Sequence, residues 1–343
     1  MAHPAHPRKE SDVTRPERIT APNPATGHPK DLRFCTAQSL AAGEPLAGTG
    51  VHPEKTILIQ WPKARWRHSL KIAEDMDPDI TAAIEALSAA GWRVNLIDRK
   101  GEYRDTIRVF IYPEALAFDL APRALANFLV SLPEGAAALD DFGPTPADTP
   151  VVLCCTHGKH DRCCAKWGFA VYKALAAEAE ARGDFDVWEV THLGGCRLSA
   201  GVLVLPALRK YGRLRPADAP DLLDAEARDT PYLPCYRGAS HLDQAEQVAE
   251  VAALQHFAKA GIRGPARVRK TQERTYAVTV GTAIARVLLQ PDEVTTPGTC
   301  ADLDAARPIA PKTVWRAQVD AALADDGPAP SCPPNPNPNE ERP

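Results

Sequence analysis

A mixed α/β (α+β) fold in two lobes is predicted by three features of the 343-residue chain. Short apolar, β-branched runs (TILIQW, RVNLID, TIRVFI, VVLC, FDVWEV) alternate with longer stretches whose apolar residues recur at helical spacing. A Gly-, Pro- and Asp-rich stretch, EGAAALDDFGPTPADTP at 134–150, divides the chain as a linker would. A loop dense in cysteine and histidine, Cys155 to Cys163, lies between a strand and a helix. At about 150 residues per domain two domains are expected, and a composition 44% hydrophobic and 24% charged suits a globular core.

Residues 1–30 are rich in Pro, His and charge without periodicity and read as a disordered leader. His3, His6 and His28 are too dispersed there for a metal-binding tract. The N-terminal α/β lobe is expected over 31–145. It opens with a small-residue segment, Cys35 to Val51, that ends in a Gly-rich turn. Thr56 to Trp61 is a strand. Asp77 can cap a helix reaching Ala90, with Pro78 at its first position and Ile80, Ile84 and Leu87 on one face; Gly91 ends it. Arg93 to Asp98 and Thr106 to Ile111 read as strands, Pro122 to Leu132 as a helix, and Trp61, Trp66 and Trp92 as core.

The second lobe is expected over 146–320. Val151 to Cys154 is a buried strand. A helix over Cys164 to Arg182 turns Phe169, Tyr172, Leu175 and Ala176 inward. Phe185 to Thr191 and Val202 to Leu205 are strands, and Tyr211 to Leu214 is the return strand of a hairpin. Helices follow at Ala217–Arg228 and Asp243–Ala260, then a closing antiparallel meander at Val268–Gln272, Tyr276–Val280 and Ala285–Leu289. Residues 321–343, ending SCPPNPNPNEERP, read as a disordered tail. The order strand, Cys loop, helix, strand, loop, hairpin, helix is that of a thioredoxin-like domain. There the start of the helix favours thiolate over thiol.

A net charge of -4 with no basic block excludes nucleic acid as an expected partner. No apolar run approaches the ~20 residues of a membrane span. The first twenty residues lack the apolar core of a secretory signal, so a cytoplasmic protein is expected. Nine cysteines, an odd count in a cytosolic chain, argue against a disulfide framework. Cys35, Cys235, Cys300 and Cys332 are scattered and read as small hydrophobes.

The chemistry is concentrated in VVLCCTHGKHDRCCAKWG at 151–168 and WEVTHLGGCRLSAG at 188–201. Cys154 and Cys155 are adjacent, so at a strand end they face opposite ways; Cys163 and Cys164 pose the same choice at the helix start. One cysteine of each pair, with His192 and Cys196, makes a set of three thiolates and one imidazole, and Cys154 packs in the core. Gly158 and its polar neighbours form a loop able to donate N–H groups to sulfur, and Gly194 and Gly195 allow close backbone approach. Structural zinc takes such a Cys₃His set. A [2Fe–2S] cluster also takes four ligands. Metal-free thiol chemistry at Cys155 or Cys164 is a third option, weakened by the absence of C-x-x-C.

CTHGKHDRCCAKWG, WEVTHLGGCRLSAGVLVLP and YGRL, with GEPLAGTG near Glu44, YRGAS at Tyr236 and the QAEQVAE helix, resemble the sucrase/ferredoxin-like family of thioredoxin-like ferredoxins over roughly Cys35 to Cys300. The resemblance implies a [2Fe–2S] cluster on two cysteines of the first loop and two histidines of an H-x₃-H motif. Carried onto this chain, the cysteines are Cys155 and Cys164, with Cys163 as the alternative to Cys164, and the first histidine is His192. Cys196 stands where the second histidine is expected, and His160 where the family commonly has Arg. An anionic thiolate in place of a neutral imidazole lowers the expected reduction potential, and losing one of two ionisable imidazoles weakens its pH dependence. His157, Gly158, His160, Gly194, Gly195 and Arg197 are expected around the cluster, Asp161 as a helix cap. The resulting expectation is an electron carrier or redox sensor more than an enzyme with its own substrate. It would exchange electrons with a separate protein, since no flavin or nicotinamide fingerprint is present. The rivals are a zinc-stabilised scaffold and a thiol-dependent enzyme. Glycoside hydrolysis needs two paired carboxylates, and no such pair stands out.

Overall fold

The computed structural model describes residues 33–101, 105–306 and 308–320. The leader and tail readings, and Cys332, lie outside these residues. The fold is mixed α/β, built on a ten-stranded and a four-stranded sheet. In chain order the elements begin with α1 (Cys35–Ala41), β1 (Thr56–Gln60), α2 (Pro78–Ala89), β2 (Arg93–Asp98), β3 (Ile107–Tyr112), β4 (Leu116–Leu120), α3 (Leu125–Ser131) and β5 (Thr145–Pro146). They continue with β6 (Val151–Cys155), α4 (Phe169–Arg182), β7 (Asp186–Val190), β8 (Val202–Leu205), β9 (Arg209–Tyr211), α5 (Ala219–Ala227), β10 (Tyr236–Ala239) and α6 (Gln244–Lys259). The chain closes with β11 (Ala266–Gln272), β12 (Thr275–Val280), β13 (Ala283–Val294), α7 (Cys300–Asp304) and β14 (Lys312–Asp320).

The large sheet runs β10-β9-β8-β6-β7-β2-β1-β3-β4-β5. Its middle, β9-β8-β6-β7, has β6 parallel to β7 and antiparallel to β8, the thioredoxin-type arrangement. β2 pairs antiparallel with β7 through Ile97↔Val190 and Asp98↔Glu189, so the N-terminal strands extend the same sheet. The join continues beyond the strand ends. Thr191 N–H donates to Leu96 O at 2.9 Å, and Leu96 N–H donates to Thr191 Oγ1 at 3.0 Å. This seam ends one residue before His192.

Local signals explain most elements. Asp77 accepts the Asp79 N–H and Pro78 opens α2, with Ile80, Ile84 and Leu87 buried. Asp243 and Glu246 form a capping box at the start of α6. Several expectations shift. The 35–51 segment begins with a helix, α1. The 134–150 stretch is partly packed: its Leu139 is fully buried and Thr145–Pro146 pairs with β4, a strand without a sequence signal strong enough to mark it. The hairpin return lies at Arg209–Tyr211, earlier than Tyr211–Leu214. The closing meander is a separate sheet with a fourth strand, β14. Phe169 is exposed and not inward, because Cys164–Gly168 forms a wider π-helical turn that brings Gly168, Val171, Tyr172 and Leu175 to the inner face. Among the described residues no helix is long and apolar enough to cross a membrane.

Candidate metal centre

β6 ends at Cys155, and its alternation sends Cys154 and Cys155 to opposite faces. Cys154 enters the core with Val152, Val202 and Tyr211, and its thiol donates to Gly168 O at 3.3 Å. Cys155 lies on the other face with Cys163, Cys164 and Cys196. The turn after the loop must approach β6 closely to bring Cys164 there. Gly168 permits this: a Cβ on it would fall 2.0 Å from Cys155 O.

The four residues expected to act together do gather. The thiols of Cys155 and Cys164 are hydrogen-bonded, as are those of Cys164 and Cys196, and Cys196 Sγ lies 3.2 Å from His192 Nδ1. Their arrangement is a string of neighbours. Among the described residues, no three of these four donors lie mutually within 4.8 Å. His160 joins one end: its ring nitrogen, one from His192 and Cys196 Sγ are all within 4.8 Å of one another, and the His160 and His192 rings are 4.2 Å apart. His157 is buried against Trp66, and its Nε2 is 2.7 Å from Arg67 O. Thr156 Oγ1, His157 Nδ1 and His160 Nδ1 have no hydrogen-bond partner. Three unpartnered buried polar atoms in one loop next to four soft donors fit a site built around a bulky inorganic group.

The His192 loop is held by its carbonyls. Arg93 and Asn95 of β2 donate to His192 O, the latter at 3.2 Å; Lys210 of β9 donates to Leu193 O at 2.6 Å; and Arg237 of β10 donates to Gly194 O at 3.3 Å. Gly194 and Gly195 have φ of 92° and 81°, in the left-handed region that glycine adopts freely. A Cβ on Gly195 would also meet the Arg237 guanidinium at 2.8 Å. Among the described residues no carboxylate forms an ion pair with Arg93, Lys210 or Arg237, and burial pushes the pKa of each down, that of Lys210 well below its ordinary value. Of these anchoring residues Arg237 lies in the YRGAS stretch, while Arg93, Asn95 and Lys210 carried no motif in the sequence. Arg197 is paired with the buried Glu44, Nε to Oε1 2.7 Å. Burial opposes ionisation of Glu44, yet Arg197 and Lys312 outweigh it and hold the carboxyl below its ordinary value.

Protonation suits ligation. Burial, then the nearby His160, Arg93 and Lys210, push His192 down to about 3, so its ring is neutral at pH 7. The hydrogen bond with Cys164 and burial raise the Cys155 thiol well above its ordinary value. Binding of a metal ion by such thiols would require their ionisation and release protons. Asp161 is the cap expected of it, accepting the Cys163 N–H at 2.7 Å. Cys163 and Cys164, one helical step apart, diverge by about 100°. Cys164 faces Cys155 and Cys196, and Cys163 faces Cys35 and Cys300.

The geometry can be set beside known proteins. Solved structures similar to part of the chain include a thioredoxin-like [2Fe-2S] ferredoxin from Aquifex aeolicus, 16% identical, covering 26% of this chain and 91% of that chain at a TM-score of 0.24. The wild-type form of that ferredoxin aligns at 16% identity over 26% of this chain and 97% of its own, also at 0.24. A cysteine-to-serine variant aligns at 15% identity over 25% and 96%, at 0.23. No curated protein matches. The sucrase/ferredoxin-like family profile matches residues 46–238, a range that holds Cys155, Cys164, His192 and Cys196 and leaves out Cys35 and Cys300. That range is more than half of the 343 residues, and the chain belongs to the sucrase/ferredoxin-like family.

Proposed function

We propose that this protein is a one-electron carrier or redox sensor holding one [2Fe–2S] cluster on Cys155, Cys164, His192 and Cys196. The string-like spacing of the donors carries the reading. A single tetrahedral zinc, with bonds of about 2.0–2.3 Å, needs all four donors close to one another. Here Cys155 and Cys164 sit at one end, His192 and Cys196 at the other, and no three converge within 4.8 Å. Two donors at each end suit a two-metal cluster. The bound cluster would supply a reversible one-electron change.

The chain's own residues do the rest. Arg93, Asn95, Lys210 and Arg237 fix the carbonyls of the His192 loop, and the guanidinium groups of Arg93 and Arg237 place positive charge beside the donors. That charge favours an anionic site and eases the arrival of a further electron. Thr156, His157 and Asp161, the buried residues of the 156–161 loop, screen the donors from water. Electrons come from and go to a separate protein of the same compartment, which we take to be the cytosol.

Anaerobic purification tests this. The protein should be red-brown, with iron and visible charge-transfer bands that bleach with dithionite. A chain that stays colourless after iron and sulfide reconstitution would overturn the reading.

A further inference from the structure

Cys163 turns away from the cluster donors into a second knot of thiols. Its Sγ is 3.4 Å from that of Cys35 and 3.3 Å from that of Cys300, and the Cys300 and Cys35 sulfurs are 3.5 Å apart. Asp161 Oδ2 approaches Cys35 Sγ at 3.9 Å. The four donor atoms lie within 4.8 Å of one another and all four residues are buried. Here, unlike the neighbouring string, the donors converge on one point.

Three buried cysteines alone are small hydrophobes with weak S–H contacts. Asp161 makes that account insufficient. It is 3% exposed and accepts two backbone N–H groups, from Cys163 at 2.7 Å and Cys300 at 2.8 Å. Among the described residues no cation forms an ion pair with it; the adjacent Arg162 is bound to Asp304. A buried carboxylate without a counter-charge is costly. A cation among the four groups removes that cost. Tetrahedral zinc with Zn–S bonds of about 2.3 Å spaces its sulfurs about 3.8 Å apart. Sulfurs at 3.3–3.5 Å need to spread by only a few tenths of an ångström.

We propose that Cys35, Cys163, Cys300 and Asp161 form a closed structural site for one zinc ion that shares no residue with the cluster donors, with Asp161 at the border, its carboxylate also within 4.8 Å of Cys164 and Cys196 Sγ. Uptake of Zn²⁺ transfers three thiol protons to solvent, and no electron moves. The ion ties α1, the 156–163 loop and α7 together across sequence separations of 128 and 137 residues. Neither short helix has much core of its own. Fastening α1 also steadies the cluster side, because Thr36 Oγ1 donates to Cys196 O at 3.3 Å.

The test uses the full-length chain, expressed with zinc and iron supplied, purified anaerobically and assayed for both metals. One zinc per chain is expected. C35S and C300S should lose it and keep the iron-dependent visible bands, while C155S should lose those bands and keep the zinc. Because a serine variant can fail to fold, cobalt(II) is also titrated into the metal-free wild-type protein and into metal-free C155S, and an intense thiolate-to-cobalt absorption saturating at one equivalent is expected in both. Iron without zinc, or zinc retained in both C35S and C300S, or no cobalt absorption, would overturn the site. Zinc on these residues with no iron would leave it standing and refute the cluster.

Discussion

At Cys196 the chain carries a sulfur where the resemblance leads one to expect a histidine ring. Cys196 Sγ sits 3.2 Å from His192 Nδ1, on a loop whose carbonyls are anchored by Arg93, Asn95, Lys210 and Arg237. Cys196→His removes one anionic donor and adds an ionisable one. The reduction potential of the reconstituted protein should then rise by about 100 mV or more, and should fall more steeply with pH than in the wild-type protein. Potentiometric titration at several pH values measures both, and a variant with the wild-type potential and pH slope would count against Cys196 as a ligand. The same scale shows where sequence reading stops. Alternation along β6 was enough to send Cys154 into the core. Nothing local could say that Cys163 and Cys164 serve different places, because that depends on Cys35 and Cys300, each more than a hundred residues away from Cys163. The Lys210 and Arg237 anchors were hidden for the same reason: their targets are backbone carbonyls, which carry no residue signature.

Elements with their own start and stop chemistry were legible. Asp77-Pro78 marks α2 and the Asp243/Glu246 box marks α6, because capping is settled within four residues. β4 and β14 were not, because their stability comes from partners reached through Ile107↔Leu120 and Val294↔Lys312 pairings. α4 shows both cases. Its helical periodicity was visible and Tyr172 and Leu175 face inward as expected, but the turn at Cys164–Gly168 is π-helical and Phe169 lies outside, under Lys63 and Lys173 at 5.0 and 5.4 Å from its ring. The reason lies in the contact of α4's approach with β6. Gly168→Ala would put a methyl 2.0 Å from Cys155 O, so strand and turn must part. Overpacking of this kind costs about 1–3 kcal/mol. Urea unfolding of the metal-free variant should show a lowered midpoint at unchanged slope, and the reconstituted variant should hold less iron. An unaltered midpoint would mean that the turn and strand have room to separate.

At the scale of the whole molecule, α6 lies between the edge of the large sheet and the four-stranded sheet. Val248, Ala252 and Leu254 join one core with Val278, Val287 and Tyr236. Glu250 is buried in that helix, and it ties the large sheet to α6 by accepting the Tyr236 hydroxyl at 3.0 Å and the Ala239 N–H at 2.8 Å. Burial outweighs both hydrogen bonds and raises its carboxyl from 4.5 to about 7. The folded state therefore binds a proton more tightly than the unfolded chain. The stabilisation from this group is complete below about pH 4.5, falls as pH rises toward 7 and is gone above it. At 1.36 kcal/mol per pKa unit the full span is about 3–4 kcal/mol. Glu250→Gln mimics the protonated acid, keeps the packing and does not titrate. Its stability relative to the wild-type chain should rise with pH between about 4.5 and 7 and level off above, by that amount. Denaturant unfolding of both proteins, each metal-free, at pH 5, 6, 7 and 8 measures the difference. A difference independent of pH would show that Glu250 keeps its charge inside the fold, and that the junction between the two sheets is held by an ionised carboxylate.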